Sequence, residues 1–170
     1  ALPMQVLRDY SLTVENKRVV ADHMRAAVFL LKAGVSPSNK QQGYILRRMI
    51  RRCGVKMYQL RESLDDMQKL IEVADSITKT FLGIYFTPED DFTDEIRDEL
   101  NKFSKTLQQG MKKVSSLKII TGEIAFDMYQ SFGFPFELTQ EIAGSKGLEV
   151  SGEDFQKALT DTLYLSPQKQ

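Results

Sequence analysis

Apolar residues in this chain recur at intervals of three and four through every long segment, and no window alternates residue by residue as a half-buried strand would. That step admits helices and excludes sheets. Val19, Val20, Met24, Ala27, Val28 and Leu31 form one stripe over residues 14–33, ended by Gly34 with Pro37 three residues on. Ile45, Leu46, Met49, Ile50 and Cys53 form the next over 41–53, which Gly54 is expected to close. Leu60, Leu64, Met67, Leu70, Ile71, Ala74, Ile77 and Phe81 follow. After a break at Thr87-Pro88-Glu89-Asp90-Asp91, with Thr93 as the expected N-cap, the longest stripe runs Ile96, Leu100, Phe103, Leu107, Met111, Val114 and Leu117. Two such stripes predict a long antiparallel helical hairpin. Shorter helices are expected at 123–131, at 137–145 (stopped by Gly144 and Gly147) and from Ser151, where Asp154 imitates a capping box. Between the first two, Gly133 permits a positive φ and Pro135 forces Phe134 extended. The expected fold is all-α, with a basic helical subdomain (1–58), the long hairpin (59–121) and a short-helix subdomain (122–166).

Net charge is zero, but its halves are not neutral. Residues 1–58 hold eleven basic against three acidic side chains, or +8, and the remainder is therefore −8. A chain so divided presents a polyanion-binding face, or neutralises itself across an interface. The basic charge concentrates in Arg47, Arg48, Arg51 and Arg52, which fall opposite the apolar arc of the second stripe. Guanidinium suits phosphate because its planar fork donates two hydrogen bonds and keeps its charge at any physiological pH. The same stripe could equally be a solvated face that pairs with acidic neighbours.

Several chemistries are absent. One histidine and one cysteine cannot assemble a zinc site of usual ligands, and the single Cys53 excludes an internal disulfide. His23, within the first stripe beside Asp22, reads as a satisfied structural histidine. No glycine-rich phosphate loop and no G-x-S-x-G elbow occurs. The pairs Asp65-Asp66 and Asp90-Asp91 are adjacent in sequence and read as solvated charge rather than as an acid/base pair. No apolar run is long enough for a membrane span, and Ala1-Leu2-Pro3 is no signal peptide. The start without methionine suggests a piece of a longer protein.

The run Arg18-Val-Val-Ala-Asp22-His23-Met-Arg25-Ala26, followed by Gly34-Val-Ser-Pro37-Ser38-Asn39 and Gly43-Tyr44-Ile-Leu-Arg47-Arg48-Met-Ile-Arg51-Arg52, resembles the alanyl-tRNA synthetases. Glu123-Ile-Ala125-Phe126-Asp-Met-Tyr129-Gln130-Ser131-Phe132-Gly133-Phe134-Pro135 is similar to a second signature of the same helical tRNA-recognition domain. The resemblance implies a tRNA acceptor-stem module that reads a G·U wobble pair from the minor groove. It implies a base-edge contact at Asn39 and a second at position 130, where Gln130 replaces the family's aspartate. Glutamine keeps an acceptor oxygen but loses the charge. In a second departure, Lys40-Gln41-Gln42 stands where the family has an acidic residue, Gly and Arg, so one cation moves to Lys40. Arg47, Arg48, Arg51, Arg52, Lys40 and Arg25 become backbone contacts or contacts to the enzyme's own catalytic domain.

The resemblance also implies a parent enzyme, a cytoplasmic or organellar alanine–tRNA ligase. Its ATP and Mg would belong to a catalytic domain and its Zn to an editing domain, both outside this chain. No cofactor and no catalytic residue is expected here. Two other readings remain: a non-enzymatic helical module whose basic face binds an acidic protein, and, more weakly, a DNA-binding helix-turn-helix. The six-residue loop before the arginine helix is longer than the tight turn that motif uses.

Overall fold

The computed structural model describes residues 2–8, 11–59 and 63–165, and among them the chain forms eight helices and no strand. They are α1 (Leu2–Val6), α2 (Val14–Lys32), α3 (Gln41–Tyr58), α4 (Leu64–Thr80), α5 (Thr93–Ser116), α6 (Gly122–Phe132), α7 (Phe136–Ser145) and α8 (Gly152–Leu165). None of the described helices is long and apolar enough to cross a membrane. The chain groups into two compact units, residues 1–102 and 103–170, so the two ends of α5 belong to different units.

In the first unit α2, α3 and α4 pack mutually, and α1 lies on α4 and α2. Val20, Met24 and Val28 of α2, Leu46 and Ile50 of α3, and Met67, Leu70, Val73 and Ile77 of α4 are all fully buried. α2 ends as its glycine requires. Gly34 takes φ +82, its N–H bonds to the Leu31 carbonyl, and the Val35 N–H reaches Leu30, closing two end carbonyls. Beyond α4, Phe81, Tyr85 and Phe86 pack edge-on around Phe29, and Lys32 pairs with Asp90 at 2.6 Å. A Gln68–Asn101 hydrogen bond of 3.1 Å ties α4 to the first half of α5.

The second unit is built around the rest of α5. Lys146 donates to the carbonyls of Val114 and Ser115 in the last turn of that helix and of Leu117 just beyond it. α6 packs on α8 through Phe126, Tyr129 and Phe155, and Phe136 stacks on Phe155 with centroids 4.5 Å apart. Gly133 ends α6 at φ +68, turning Phe134 into full burial against Phe103.

Four local expectations are corrected. Gly54 does not close α3, which continues to Tyr58, because Val55, Met57 and Tyr58 are buried and outweigh the roughly 1 kcal/mol that a helical glycine costs. Gly144 likewise lies inside α7, and Gly147, at φ +71, is the residue that stops it. Thr93 is the first residue of α5, not its cap, since the helix's first bond, from the Ile96 N–H, is accepted by the Phe92 carbonyl at 3.3 Å. Ile45 is 38% exposed, because the apolar arc of α3 is narrower than its sequence stripe. The stripe position Leu60 lies outside the described residues.

Gly110 fixes how closely α5 can approach the turn after α6. A Cβ there would lie 2.5 Å from Cε1 and 2.8 Å from Cζ of the buried Phe134 ring. Gly110→Ala should therefore destabilise the protein by about 1–3 kcal/mol despite the better helix propensity of alanine. Thermal unfolding that shows equal or higher stability would mean that the ring can yield.

Candidate nucleic-acid interface

The connection from Ala33 to Lys40 folds back on the helix it precedes. The Ser38 N–H donates to the Gly43 carbonyl at 3.0 Å, and the Ser38 hydroxyl donates to the Lys40 carbonyl at 3.1 Å. Gly43 is buried beneath it, where a Cβ would collide with the Ser38 hydroxyl and stand 2.5 Å from the Ser36 carbonyl. Gln41 has φ +47, a left-handed conformation that few side chains adopt without cost. The loop thus holds Asn39 and Lys40, both exposed, in one backbone arrangement at the entrance to α3.

The four arginines of α3 do not share one fate. Arg47 and Arg51, one turn apart, both turn to Glu99 of α5. The Arg51 Nε donates to Glu99 Oε1 at 2.6 Å, and the Arg47 Nε stands 3.1 Å from the same oxygen. Only 2% of the Glu99 side chain is exposed, against 11% for Arg51 and 20% for Arg47. Arg47 also donates through Nη1 to Asn39 Oδ1. Arg48 lies over the Tyr44 ring at 5.9 Å and is half-buried, as is Arg52. For Arg47 and Arg51 the structure shows pairing with an acidic neighbour, the alternative the sequence left open, although the acid is a buried carboxylate on the facing helix rather than a solvated one.

Arg25 is exposed on α2 and pairs with Asp22 at 2.7 Å. His23 lies 2.7 Å from the Val19 carbonyl through Nδ1, the bond of a satisfied helical histidine. Cys53 is fully buried and burial pushes its thiol up to about 12, so it stays protonated. The solvated-pair reading of Asp65-Asp66 fails for Asp66, which is buried on the face of α4 that carries Leu70 and Val73. Asp90 and Asp91 both have carboxyls below their usual range, Asp90 first through its bond to Lys32 and Asp91 first through the Thr93 N–H. Among the described residues no group of three or more His, Cys, Asp or Glu side chains is arranged to hold a metal ion.

In the second unit, Gln130 is exposed on the last turn of α6. One turn earlier Asp127 accepts from Lys113 at 2.5 Å and from the Ser131 hydroxyl at 2.9 Å, and Lys113 also lies 5.3 Å over the Phe132 ring. Glu99, Lys113 and Asp127 were not singled out by sequence. For Glu99 a signal existed, because an acid three residues after Ile96 and four before Phe103 sits on the apolar stripe itself.

Sequence comparison places these features in a wider set. The family described as tRNA synthetases class II (A) matches residues 4–169. The chain is 39% identical over 149 residues to the alanine–tRNA ligase of Thermotoga petrophila and 38% identical over 157 residues to that of Elusimicrobium minutum. Each match covers 85% of this chain and 17% of the relative. The alanine–tRNA ligase of Borreliella afzelii is 36% identical over 146 residues, covering 81% of this chain and 25% of that protein. The chain thus spans about a sixth to a quarter of the length of these relatives.

Asp127 carries the titration that bears on stability here. Its hydrogen bond to Lys113, and then that to Ser131, hold the Asp127 carboxyl below the usual aspartate range. A carboxyl made more acidic by folding stabilises the native state above its ordinary value of about 4, and that contribution is lost as pH falls below it. Asp127→Asn should therefore be slightly less stable than the parent at pH 7, with the two melting curves converging towards pH 2. A gap that persists at acid pH would assign the effect to something other than the charge.

Proposed function

Because the chain belongs to the class II (A) tRNA synthetase family, we propose that it is a tRNA acceptor-stem recognition module of an alanine–tRNA ligase, supplying recognition while residues outside this chain supply the chemistry. The observation that carries the reading is the device at the start of α3. An exposed carboxamide, Asn39, stands at the tip of a loop whose backbone is folded onto the helix, with Lys40 beside it and Arg48 on the following turns. RNA in the A form has a wide, shallow minor groove in which side chains reach base edges and 2′-hydroxyls. A guanine in that groove offers an amino donor, and a neighbouring pyrimidine O2 offers an acceptor. A carboxamide can answer both, and a rigid loop tip is the right shape to deliver one.

Division of labour follows from burial. Lys40, Arg48 and Arg25 serve as phosphate contacts, and Arg52 contributes as far as its half-buried position allows. Arg47 and Arg51 act chiefly inside the protein, through Glu99. Asn39 and Gln130 read base edges, each from its own unit. Phosphate contacts fix register without carrying sequence information, whereas base-edge contacts discriminate.

Binding to a tRNA acceptor stem should weaken steeply as salt rises, because each neutralised phosphate releases counterions. Arg48→Ala should weaken binding to wobble and Watson–Crick stems about equally. Asn39→Ala should instead shrink the difference between them, by about 1–3 kcal/mol for a good base contact. Titrations of both stems at two salt concentrations check this. Salt-independent affinity, or equal affinity for an acidic protein, would favour a protein-interaction module instead.

Gln130 offers a separate test. A neutral amide both donates and accepts, and charge-assisted hydrogen bonds are roughly twice as strong as neutral ones. Gln130→Asp should sharpen the preference for the wobble stem, where the guanine amino group is the available donor. Unchanged preference together with unchanged affinity would mean that position 130 does not touch the base pair.

A further inference from the structure

We infer that Glu99 is a positioning residue for recognition by Asn39, acting through Arg47. The inference rests on the reading of Asn39 as a base-edge contact and adds the group that aims it. A single planar guanidinium bridges the two residues. Its Nε is held 3.1 Å from the buried Glu99 Oε1 as an ion pair, without hydrogen-bond geometry, and its Nη1 donates to Asn39 Oδ1. Nε and Nη1 are fixed relative to each other by the plane of the group, so anchoring one directs the other.

Glu99 has reason to be the anchor. Its side chain is 2% exposed, and its other partner, Arg51 Nε, holds the same oxygen at 2.6 Å. Without that carboxylate, two guanidiniums one helical turn apart would repel each other, and Arg47, 20% exposed, would turn towards solvent or an RNA phosphate. With it, Arg47 stays beneath the loop. The backbone there is already held by the Ser38–Gly43 bond and by the left-handed Gln41, so the adjustable part of Asn39 is its side-chain torsions. Arg47 removes that freedom. With Oδ1 turned inward, the Nδ2 hydrogens and the second lone pair of Oδ1 are the groups offered to RNA. Pre-orientation of this kind raises discrimination, because a carboxamide that can rotate satisfies donors and acceptors alike.

The test compares wobble and Watson–Crick acceptor stems against the parent protein, Glu99→Gln, Arg47→Lys, Asn39→Ala and the Asn39→Ala/Glu99→Gln double variant. Glutamine keeps the volume of Glu99 and removes its charge. Lysine keeps the charge of Arg47 but has no fork with which to hold both partners. Each of these two changes should lower discrimination between the stems about tenfold, the order one good polar base contact supplies. The salt slope should not fall in either variant, since no phosphate contact is lost, and it should steepen in Glu99→Gln where the released Arg47 reaches a phosphate. In the Asn39→Ala background Glu99→Gln should cause no further loss, because the residue it aims is gone. If Glu99→Gln does not fold, as circular dichroism would show, Arg47→Lys decides alone. Discrimination retained in Glu99→Gln and Arg47→Lys but lost in Asn39→Ala overturns the positioning role and leaves the reading of Asn39 intact. Discrimination retained in Asn39→Ala overturns that reading, and this inference with it.

Discussion

The first unit is organised around one buried carboxylate. Glu99 stands on the apolar stripe of α5, flanked by the fully buried Ile96, Leu100 and Phe103, where an acid is costly unless its charge is answered. Arg47 and Arg51 answer it from α3, and that fixes the rotation of α3 about its axis. Leu46 and Ile50 face the core of the unit, Arg47 and Arg51 face α5, and Arg48 falls on the next ridge over Tyr44. A hydrophobic trio in place of the three charges could match the stability, because desolvating charges offsets much of their attraction. What the charged version adds is direction. Only a guanidinium can be buried at one end and still donate to the loop at the other.

This arrangement also changes what the basic half of the chain offers a polyanion. A count of +8 over residues 1–58 overstates the exposed field, since Arg47 and Arg51 are matched by an acid from outside that range and Lys32 is matched by Asp90. Arg25 is matched within α2 by Asp22, in an exposed pair that a phosphate could readily displace. The exposed cation at the loop tip is Lys40, and its neighbour is a carboxamide rather than another charge. A surface of this kind fits the proposed function, in which charge would steer RNA and neutral polar groups would meet its base edges.

Much of the fold was legible because helices announce themselves locally. Stripes at intervals of three and four gave α2, α4 and α5 to within a few residues, and the glycines at 34 and 133 end their helices with positive φ. The failures share a cause. Gly54, Gly144, Ile45 and Asp66 were judged by local rules, and tertiary packing overrode each. The site was legible in part. Sequence placed Asn39 at a loop tip and Gln130 on a short helix, and both are exposed there. It could not divide the four arginines, because helical periodicity gives the face of a residue but not which acid lies opposite. That depends on Glu99, 52 and 48 positions further on from Arg47 and Arg51. An acid on an apolar stripe asks for a buried cation, and Arg47 and Arg51 were the cations at hand.

The electrostatics of α6 bear on why position 130 carries an amide. Gln130 lies in the last turn of a helix that has no basic residue there, so the negative end of the helix dipole is not matched by a cation within the helix. Asp127, three residues earlier on the same side, adds a full negative charge, moderated by Lys113 from α5. A carboxylate at 130 would meet both repulsions, whereas a neutral amide meets neither. An amide in turn carries no fixed preference between donors and acceptors, so its contribution to recognition depends on how its rotation is restrained. The Asn39 carboxamide is restrained by a guanidinium fixed to a buried acid. Asn39 and Gln130 therefore differ less in chemistry than in what stands behind them, and on the proposed reading the greater share of discrimination would belong to the one held by Arg47.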